Sequence, residues 1–316
     1  MILPKVLPKK ATIGIIAPAS PQRDLQRLER GIAYLEGLGH TVVLGNHVHG
    51  RFAEYLAGTD AERLSDIHEM FANPAIDAIF CSRGGYGTPR LLDRIDYSLI
   101  EKNPKIFVGF SDTTALQFAL LKKIGLVTFS GALPSVDMAE DFDAESEEIF
   151  WRVLQSTKPL GIINQSYPAK RNKSGSASGT FLAGNLSMMG AIMGTPFMPK
   201  LDGTILLVED IAEETYRLDR LLTQLRLQML NDNNQPSGEL AALCFGQFTM
   251  SKNPGNTPHR DVNELIEEQS AWVTGPIISN IMYGHESKKL TLPIGVRVKI
   301  HEEVDALDFY EVNYQL

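Results

Sequence analysis

Short apolar runs alternate with stretches of helical period through the first half of the chain. Thr12 to Ala17 is apolar and bounded by Pro18, which predicts a buried strand. Leu25, Leu28, Ile32, Leu35 and Leu38 then recur at spacings of three and four, which predicts a helix with Gly39 just past its end. Thr41 to Leu44 is a second strand, and Thr59 with Glu62 makes a capping box ahead of the face Leu64, Ile67, Met70 and Phe71. Ile76 to Cys81 is a third strand, and Pro89 opens a short helix through Leu91, Leu92 and Ile95. Lys105 to Phe110 is a fourth strand, followed by a helix from Asp112 to Lys123 and a fifth strand from Gly125 to Phe129. This alternation predicts an α/β fold with a parallel sheet covered on both faces.

The second half is mixed. Strands are expected over Thr204–Val208, Leu240–Phe245, Ile277–Ile281 and Val296–Ile300, and helices over Leu186–Met193, Tyr216–Leu230 and Val262–Gln269. The polar stretch from Lys170 to Gly179 reads as a junction. The expected organisation is an N-terminal domain over residues 1–165, a linker over 166–179 and a C-terminal domain over 180–316.

A chain of 316 residues fits two domains of roughly 150 residues each. Lys and Arg number 30 against 38 Asp and Glu, a formal charge of −8, which argues against coating nucleic acid or an anionic membrane. The two cysteines, Cys81 and Cys244, are far apart and form no zinc or disulfide pattern, so a reducing compartment and no metal are expected. The apolar run after the N-terminus is too short for a signal peptide, and Leu186 to Met198 is too short to span a bilayer. The expectation is a cytoplasmic protein.

In parallel sheets the working residues sit in loops at the carboxyl ends of strands. Ser111 stands there, between the strand ending at Phe110 and the next helix, in a partial G-x-S-x-G pattern with Thr113 at the last position. It reads either as a helix N-cap or as a nucleophile at a sharp turn. Ser82-Arg83-Gly84-Gly85-Tyr86-Gly87 follows the third strand. It reads as a tight turn, an oxyanion donor or a phosphate cradle, although it has neither the dinucleotide nor the Walker spacing. Arg83 is either a carboxylate binder or a structural ion-pair partner. Glu209 ends an apolar strand and is either part of an acidic helix start, with Asp210, Glu213 and Glu214, or a functional acid.

Of the histidines His40, His47, His49, His68, His259, His285 and His301, the pair His47 and His49 alternates and reads either as a metal-binding pair, with no evident carboxylate partner, or, in preference, as a surface strand. His285 follows Gly284 in a strand-end loop, where a base would sit, and reads either as that base or as a structural histidine. Cys81 reads as a buried structural thiol. Ser111, Glu209 and His285 together supply a hydroxyl, an acid and an imidazole, each after a predicted strand.

These stretches resemble the LD-carboxypeptidase family of serine peptidases. The resemblance lies in Arg83-Gly84-Gly85-Tyr86-Gly87, Gly109-Phe110-Ser111-Asp112, Ala183-Gly184-Asn185-Leu186, Leu207-Val208-Glu209-Asp210-Ile211, Tyr216-Arg217-Leu218-Asp219-Arg220, and Gly284-His285 with Leu292-Pro293-Ile294-Gly295. It runs from about Ile13 to the end of the chain. The chain departs from the family after Gly131, where Ala132-Leu133-Pro134 stands in place of an immediate proline.

The resemblance implies a flavodoxin-like N-terminal domain, a smaller swivelling β/α C-terminal domain and a homodimer. It implies Ser111 as nucleophile, His285 as general base and Glu209 as the group that orients it. The oxyanion donors would be the backbone N–H groups of Asp112 and Gly85, and Arg83, Gly84 and Tyr86 would line the substrate. No cofactor or metal is implied. The implied reaction is release of terminal D-alanine from cytoplasmic murein tetrapeptides during cell-wall recycling. A sister branch sharing the triad cleaves microcin C-type peptide-nucleotides. Two other classes are weighed: a small-molecule binding protein in which Ser111 only caps a helix, and an NAD- or phosphate-dependent enzyme, disfavoured because no glycine fingerprint follows the first strand.

Overall fold

The computed structural model describes residues 1–231, 233–250, 260–303 and 306–310, so His259 lies outside the described residues. The chain divides into two compact units, one holding Met1–Lys158 and Leu290–Gly295, the other Pro159–Lys289 and the described residues between Val296 and Tyr310.

The first unit alternates strands and helices: β1 (Thr12–Ile16), α1 (Leu25–Gly37), β2 (Thr41–Leu44), α2 (Asp60–Ala72), β3 (Ala78–Cys81), α3 (Tyr97–Lys102), β4 (Ile106–Gly109), α4 (Thr114–Ile124), β5 (Thr128–Ser130) and α5 (Ala144–Gln155). β2, β1, β3, β4 and β5 lie side by side in that order, all parallel, which is the flavodoxin-like arrangement. Every residue of β3 and β4 is buried, as expected of strands covered on both faces. Side chains set the helix starts: Asp24 caps α1, Thr59 and Glu62 form a reciprocal capping box on α2, and Asp143 caps α5. α5 carries the apolar face Ile149, Phe150, Val153 and Leu154. Its period is helical, yet it lies past the last element predicted for this half of the chain.

The second unit contains β6 (Gly161–Ile163), β7 (Lys170–Lys173), β8 (Ala177–Asn185), α6 (Leu186–Ile192), β9 (Thr204–Glu213), α7 (Thr215–Gln228), β10 (Ala242–Met250), α8 (Val262–Ser270), β11 (Ile277–Ser279), β13 (Arg297–Ile300) and β14 (Leu307–Phe309). β8, β9, β10 and β11 are parallel neighbours, and antiparallel strands flank them on both sides.

Two boundaries differ from the expected organisation. The stretch 166–179, expected as a linker, contains β7 and the start of β8. β7 is an edge strand of charged and amide side chains, and its composition resembles a linker because a sheet edge is protected by charge. The C-terminal stretch 180–316 is also interrupted. Leu292–Ile294 (β12) pairs antiparallel with β5 in the first unit, where it is fully buried and covers the sheet edge.

His47 and His49 lie on a turn after β2 rather than on a strand, and His47 does have a carboxylate partner. Its Nδ1 is 2.8 Å from Asp66 Oδ1, and Asp66 also accepts the His47 backbone N–H. Both cysteines are buried; burial pushes the Cys81 thiol well up and the Cys244 thiol to about 12, which suits inert structural thiols. No helix among the described residues is long and apolar enough to cross a membrane.

Arg63 of α2 is the largest fully buried polar side chain of the first unit. Its guanidinium donates to the carbonyls of Gly58, Pro18 and Gly87 and pairs with Asp60 at 2.6 Å. One side chain thereby ties the loops after β1 and β3 to the start of α2.

Replacing Arg63 by Met strands those buried carbonyls, and the expected loss is roughly 3 kcal/mol in urea unfolding. The hydrogen bond that the His47 ring donates to the Asp66 carboxylate holds the His47 pKa above its ordinary value. A raised folded-state pKa stabilises fully below about pH 6.5 and loses its contribution as pH climbs through the raised value. The stability gap between the wild type and His47→Gln should therefore shrink on going from pH 6 to pH 9, measured as paired denaturation midpoints.

Candidate active site

Ser111 follows β4 through Phe110, in a single helical turn (Ser111–Thr113) ahead of α4. It has φ +63°, a left-handed conformation that costs a non-glycine residue roughly 1–3 kcal/mol. It does not occupy the N-cap position of α4, which Thr113 holds, and the Thr113 side chain makes no capping bond. The Thr113 hydroxyl donates to the Phe110 carbonyl at 3.0 Å, closing the turn where an elbow often has glycine.

The glycine loop after β3 lies against this turn. A Cβ on Gly84 would sit 2.9 Å from the Ser111 Cβ and 3.1 Å from the Phe110 carbonyl, so only glycine lets the loop come this close. Gly85 follows at φ +118°. The Asp112 carboxylate fixes the rest of the loop: Gly87 N–H donates to Oδ1 at 3.0 Å, Thr88 N–H to Oδ2 at 2.9 Å, and the Thr88 hydroxyl to the Asp112 carbonyl at 2.7 Å. Burial pushes the Asp112 pKa up, while the bonds from Thr88 and Gly87 and the charge of Arg63 pull it back. Among the described residues, no acceptor takes the N–H of Gly85 or of Asp112. Tyr86 is exposed, donates its N–H to Ser20 Oγ at 3.0 Å and sets its ring against Tyr55. Arg83 is half-buried and donates through Nη1 to the Pro21 carbonyl at 3.2 Å.

In the second unit, β9 does not stop at Val208 but runs on through Glu213, and α7 starts at Thr215. Glu209 and Asp210 are therefore strand residues, not a helix start. Glu209 is fully buried. Its Oε2 lies 2.7 Å from His285 Nδ1, and its Oε1 accepts from Asn185 Nδ2 at 3.2 Å. Asn185 is the register partner of Glu209 across β8 and β9. The same amide donates to Asp210 Oδ1 at 2.9 Å, while the Asn185 side-chain oxygen Oδ1 accepts the Met188 N–H and caps α6. Asp210 also accepts the Ser187 N–H and hydroxyl. Burial holds its carboxyl above the ordinary range, and the Glu209 charge adds to that shift.

His285 reaches Glu209 because the segment before it lies close to β10. A Cβ on Gly246 would fall 2.0 Å from the Tyr283 carbonyl, and Gln247 N–H donates to that carbonyl at 2.7 Å. With Nδ1 turned to a carboxylate, the imidazole presents Nε2 as its basic nitrogen.

The expected site residues thus form two groups. Ser111, Asp112 and the Gly84–Gly85 loop adjoin one another in the first unit, and Glu209 and His285 are bonded in the second. Nothing in the sequence pattern assigned a role to Asn185, Ser20, Gly246 or the Asp112 carboxylate. Asn185 did carry a signal, as an amide between a buried strand and a helix start. Among the described residues no group of three or more His, Cys, Asp or Glu side chains is placed to hold a metal ion.

Comparison with known proteins gives this geometry a family. The LD-carboxypeptidase N-terminal domain matches residues 13–131, and the LD-carboxypeptidase C-terminal domain matches residues 178–300. The chain belongs to the LD-carboxypeptidase family. It is a serine-type carboxypeptidase, a hydrolase, by that membership. A relative from Bacillus subtilis (strain 168), named probable murein peptide carboxypeptidase, is 35% identical over 94% of this chain and 91% of its own length. The crystal structure of muramoyltetrapeptide carboxypeptidase from Oxalobacter formigenes is 32% identical, with a TM-score of 0.78 over 94% of this chain and 97% of that one. A structure of the microcin C7 self-immunity protein MccF in complex with aspartyl sulfamoyl adenosine is 27% identical, with a TM-score of 0.89 over 100% of both chains.

The Asn185 amide separates two carboxylates, so Asn185→Asp places a third acid beside Glu209 and Asp210. The expected result is a loss of roughly 2 kcal/mol or more at pH 8, and less at pH 5 where protonation relieves the repulsion, read from urea unfolding at both pH values.

Proposed function

We propose that this carboxypeptidase releases terminal D-alanine from murein tetrapeptides by acyl-enzyme hydrolysis, in the cytoplasm, as a step of cell-wall recycling. The observation that carries the reading is the 2.7 Å bond between the buried Glu209 carboxylate and His285 Nδ1, in a chain whose Ser111 is held at a left-handed turn. The murein peptide names of two relatives support the substrate class.

In this reading His285 Nε2 takes the proton from Ser111 Oγ as the oxygen bonds to the carbonyl carbon of the L-residue. Negative charge moves onto the carbonyl oxygen, where the N–H groups of Gly85 and Asp112 receive it. Glu209 holds the imidazole in its tautomer and stabilises the imidazolium without itself taking the proton. The C–N bond breaks, and His285 gives its proton to the departing amine of D-alanine. A water molecule, deprotonated by the same Nε2, then attacks the ester and frees Ser111. Arg83, Gly84 and Tyr86 line the substrate, and the active form is a homodimer.

A second reading, cleavage of peptide-nucleotide conjugates of the microcin C type, is favoured by the likeness to MccF along the whole of both chains. Both readings use the same three residues, so the substrate separates them.

Incubation with a murein tetrapeptide ending in D-alanine is expected to liberate D-alanine, detected by mass spectrometry. Ser111→Ala should abolish release with the fold intact, and Glu209→Gln should lower kcat by several powers of ten. Release only from a peptidyl-nucleotide would favour the second reading. Undiminished release by Ser111→Ala would remove both.

A further inference from the structure

The first unit holds a cavity of about 270 Å³ lined by Arg23, Arg27, Arg83, Gln22, Asp24 and Ser135. Two buried polar atoms of its lining residues, Arg83 Nε and Ser135 Oγ, have no hydrogen-bond partner among the described residues. Ser135 is only 5% exposed, so its hydroxyl is deprived of solvent as well. A buried donor left unmade is costly unless something else satisfies it.

The charges point the same way. Three guanidinium groups line this cavity on a chain whose net charge is −8. Burial holds the Arg83 pKa below its ordinary value, and the charges of Arg23 and Arg27 hold it lower still. Arg27 is already engaged, donating to the Ser135 and Val136 carbonyls and pairing with Glu140, so it contributes field rather than a vacant donor. The carboxylate on the lining, Asp24, accepts the Gln26 N–H as the cap of α1. Gln22 is occupied with Ser82 at 2.7 Å. The lining is therefore dominated by positive charge, which suits a planar anion taken by a guanidinium.

The place matters as much as the charge. Arg83 directly precedes Gly84, whose backbone packs against Ser111. Ser135 lies in the loop after β5, and its N–H donates to the Ser82 carbonyl at 2.9 Å. A carboxypeptidase substrate by definition carries a free carboxylate close to the bond that breaks. We propose that this cavity is a carboxylate subsite for the peptide, with the Arg83 guanidinium as its cationic partner, Ser135 beside it, and Arg23 and Arg27 supplying attraction. The proposal rests on the peptidase reading above. Its carboxylate is either the chain terminus of the leaving residue or a carboxylate on the side chain of the L-residue.

The test has two arms. In the first, the Arg83 Nε–H resonance, assigned by its loss in Arg83→Lys, is followed by NMR while succinate or its diamide is added to the wild-type protein. A saturable shift with succinate and none with the diamide is expected. No shift with succinate, or equal shifts with both, overturns the subsite whatever the enzyme hydrolyses. In the second arm, the wild type, Arg83→Gln and Ser135→Ala are compared on acyl-L-lysyl-D-alanine, on its C-terminal amide, and on the diaminopimelyl analogue that carries a side-chain carboxylate. The preference for the carboxylate-bearing member of one pair should shrink about tenfold or more in both variants, chiefly through KM. The pair that responds identifies which carboxylate is bound. If the wild type turns these peptides over and neither preference moves, the substrate role is overturned. If the wild type hydrolyses no L,D-peptide, the peptidase reading fails, and the succinate titration alone decides whether the cavity takes an anion.

Discussion

A carboxylate with no solvent exposure, set in the middle strand of a sheet, dominates the design of the second unit. Removing a charge from water costs several kcal/mol, and only well-placed donors offset it. Glu209 has two such donors on opposite oxygens, Asn185 Nδ2 and His285 Nδ1. The parallel register of β8 and β9 brings Asn185 level with Glu209. The close approach allowed by Gly246 brings the His285 segment to the other side. Neither donor is dispensable, because each also acts elsewhere. The amide serves Asp210 and α6 as well, and the imidazole is left with one nitrogen for chemistry.

The first unit solves a different problem with the same economy. Ser111 is held in a backbone conformation that few side chains adopt, and the surrounding bonds hold it there. The Asp112 carboxylate binds the glycine loop, the Thr113 hydroxyl closes the turn, and Arg63 anchors that loop from behind through the Gly87 carbonyl. The N–H groups of Gly85 and Asp112 are left without an acceptor among the described residues. Polar groups pre-set in this way need little reorganisation when charge develops on a bound carbonyl.

Much of this was legible in the sequence. Apolar runs marked β1, β3 and β4, and the capping box marked α2, because burial on both faces and a reciprocal cap leave local signatures. Ser111, Glu209 and His285 stood out because each is a polar residue at or beyond an apolar strand. What escaped notice depends on contacts distant in sequence. β7 looked like a linker because an edge strand carries polar side chains. β12 belongs to the first unit through pairing with β5, which lies far earlier in the chain. The bridging role of Asn185 and the clamp made by Asp112 are side-chain bonds across strands and loops, and no periodicity encodes them.

The central claim is that Ser111 is a nucleophile activated by the His285–Glu209 pair. Labelling with a fluorophosphonate, followed by peptide mapping and rate measurement, tests it without reference to any particular substrate. The account predicts a single adduct on Ser111, formed at least about a thousandfold more slowly in His285→Ala. An adduct on another residue, or an equal rate in the two proteins, would contradict it.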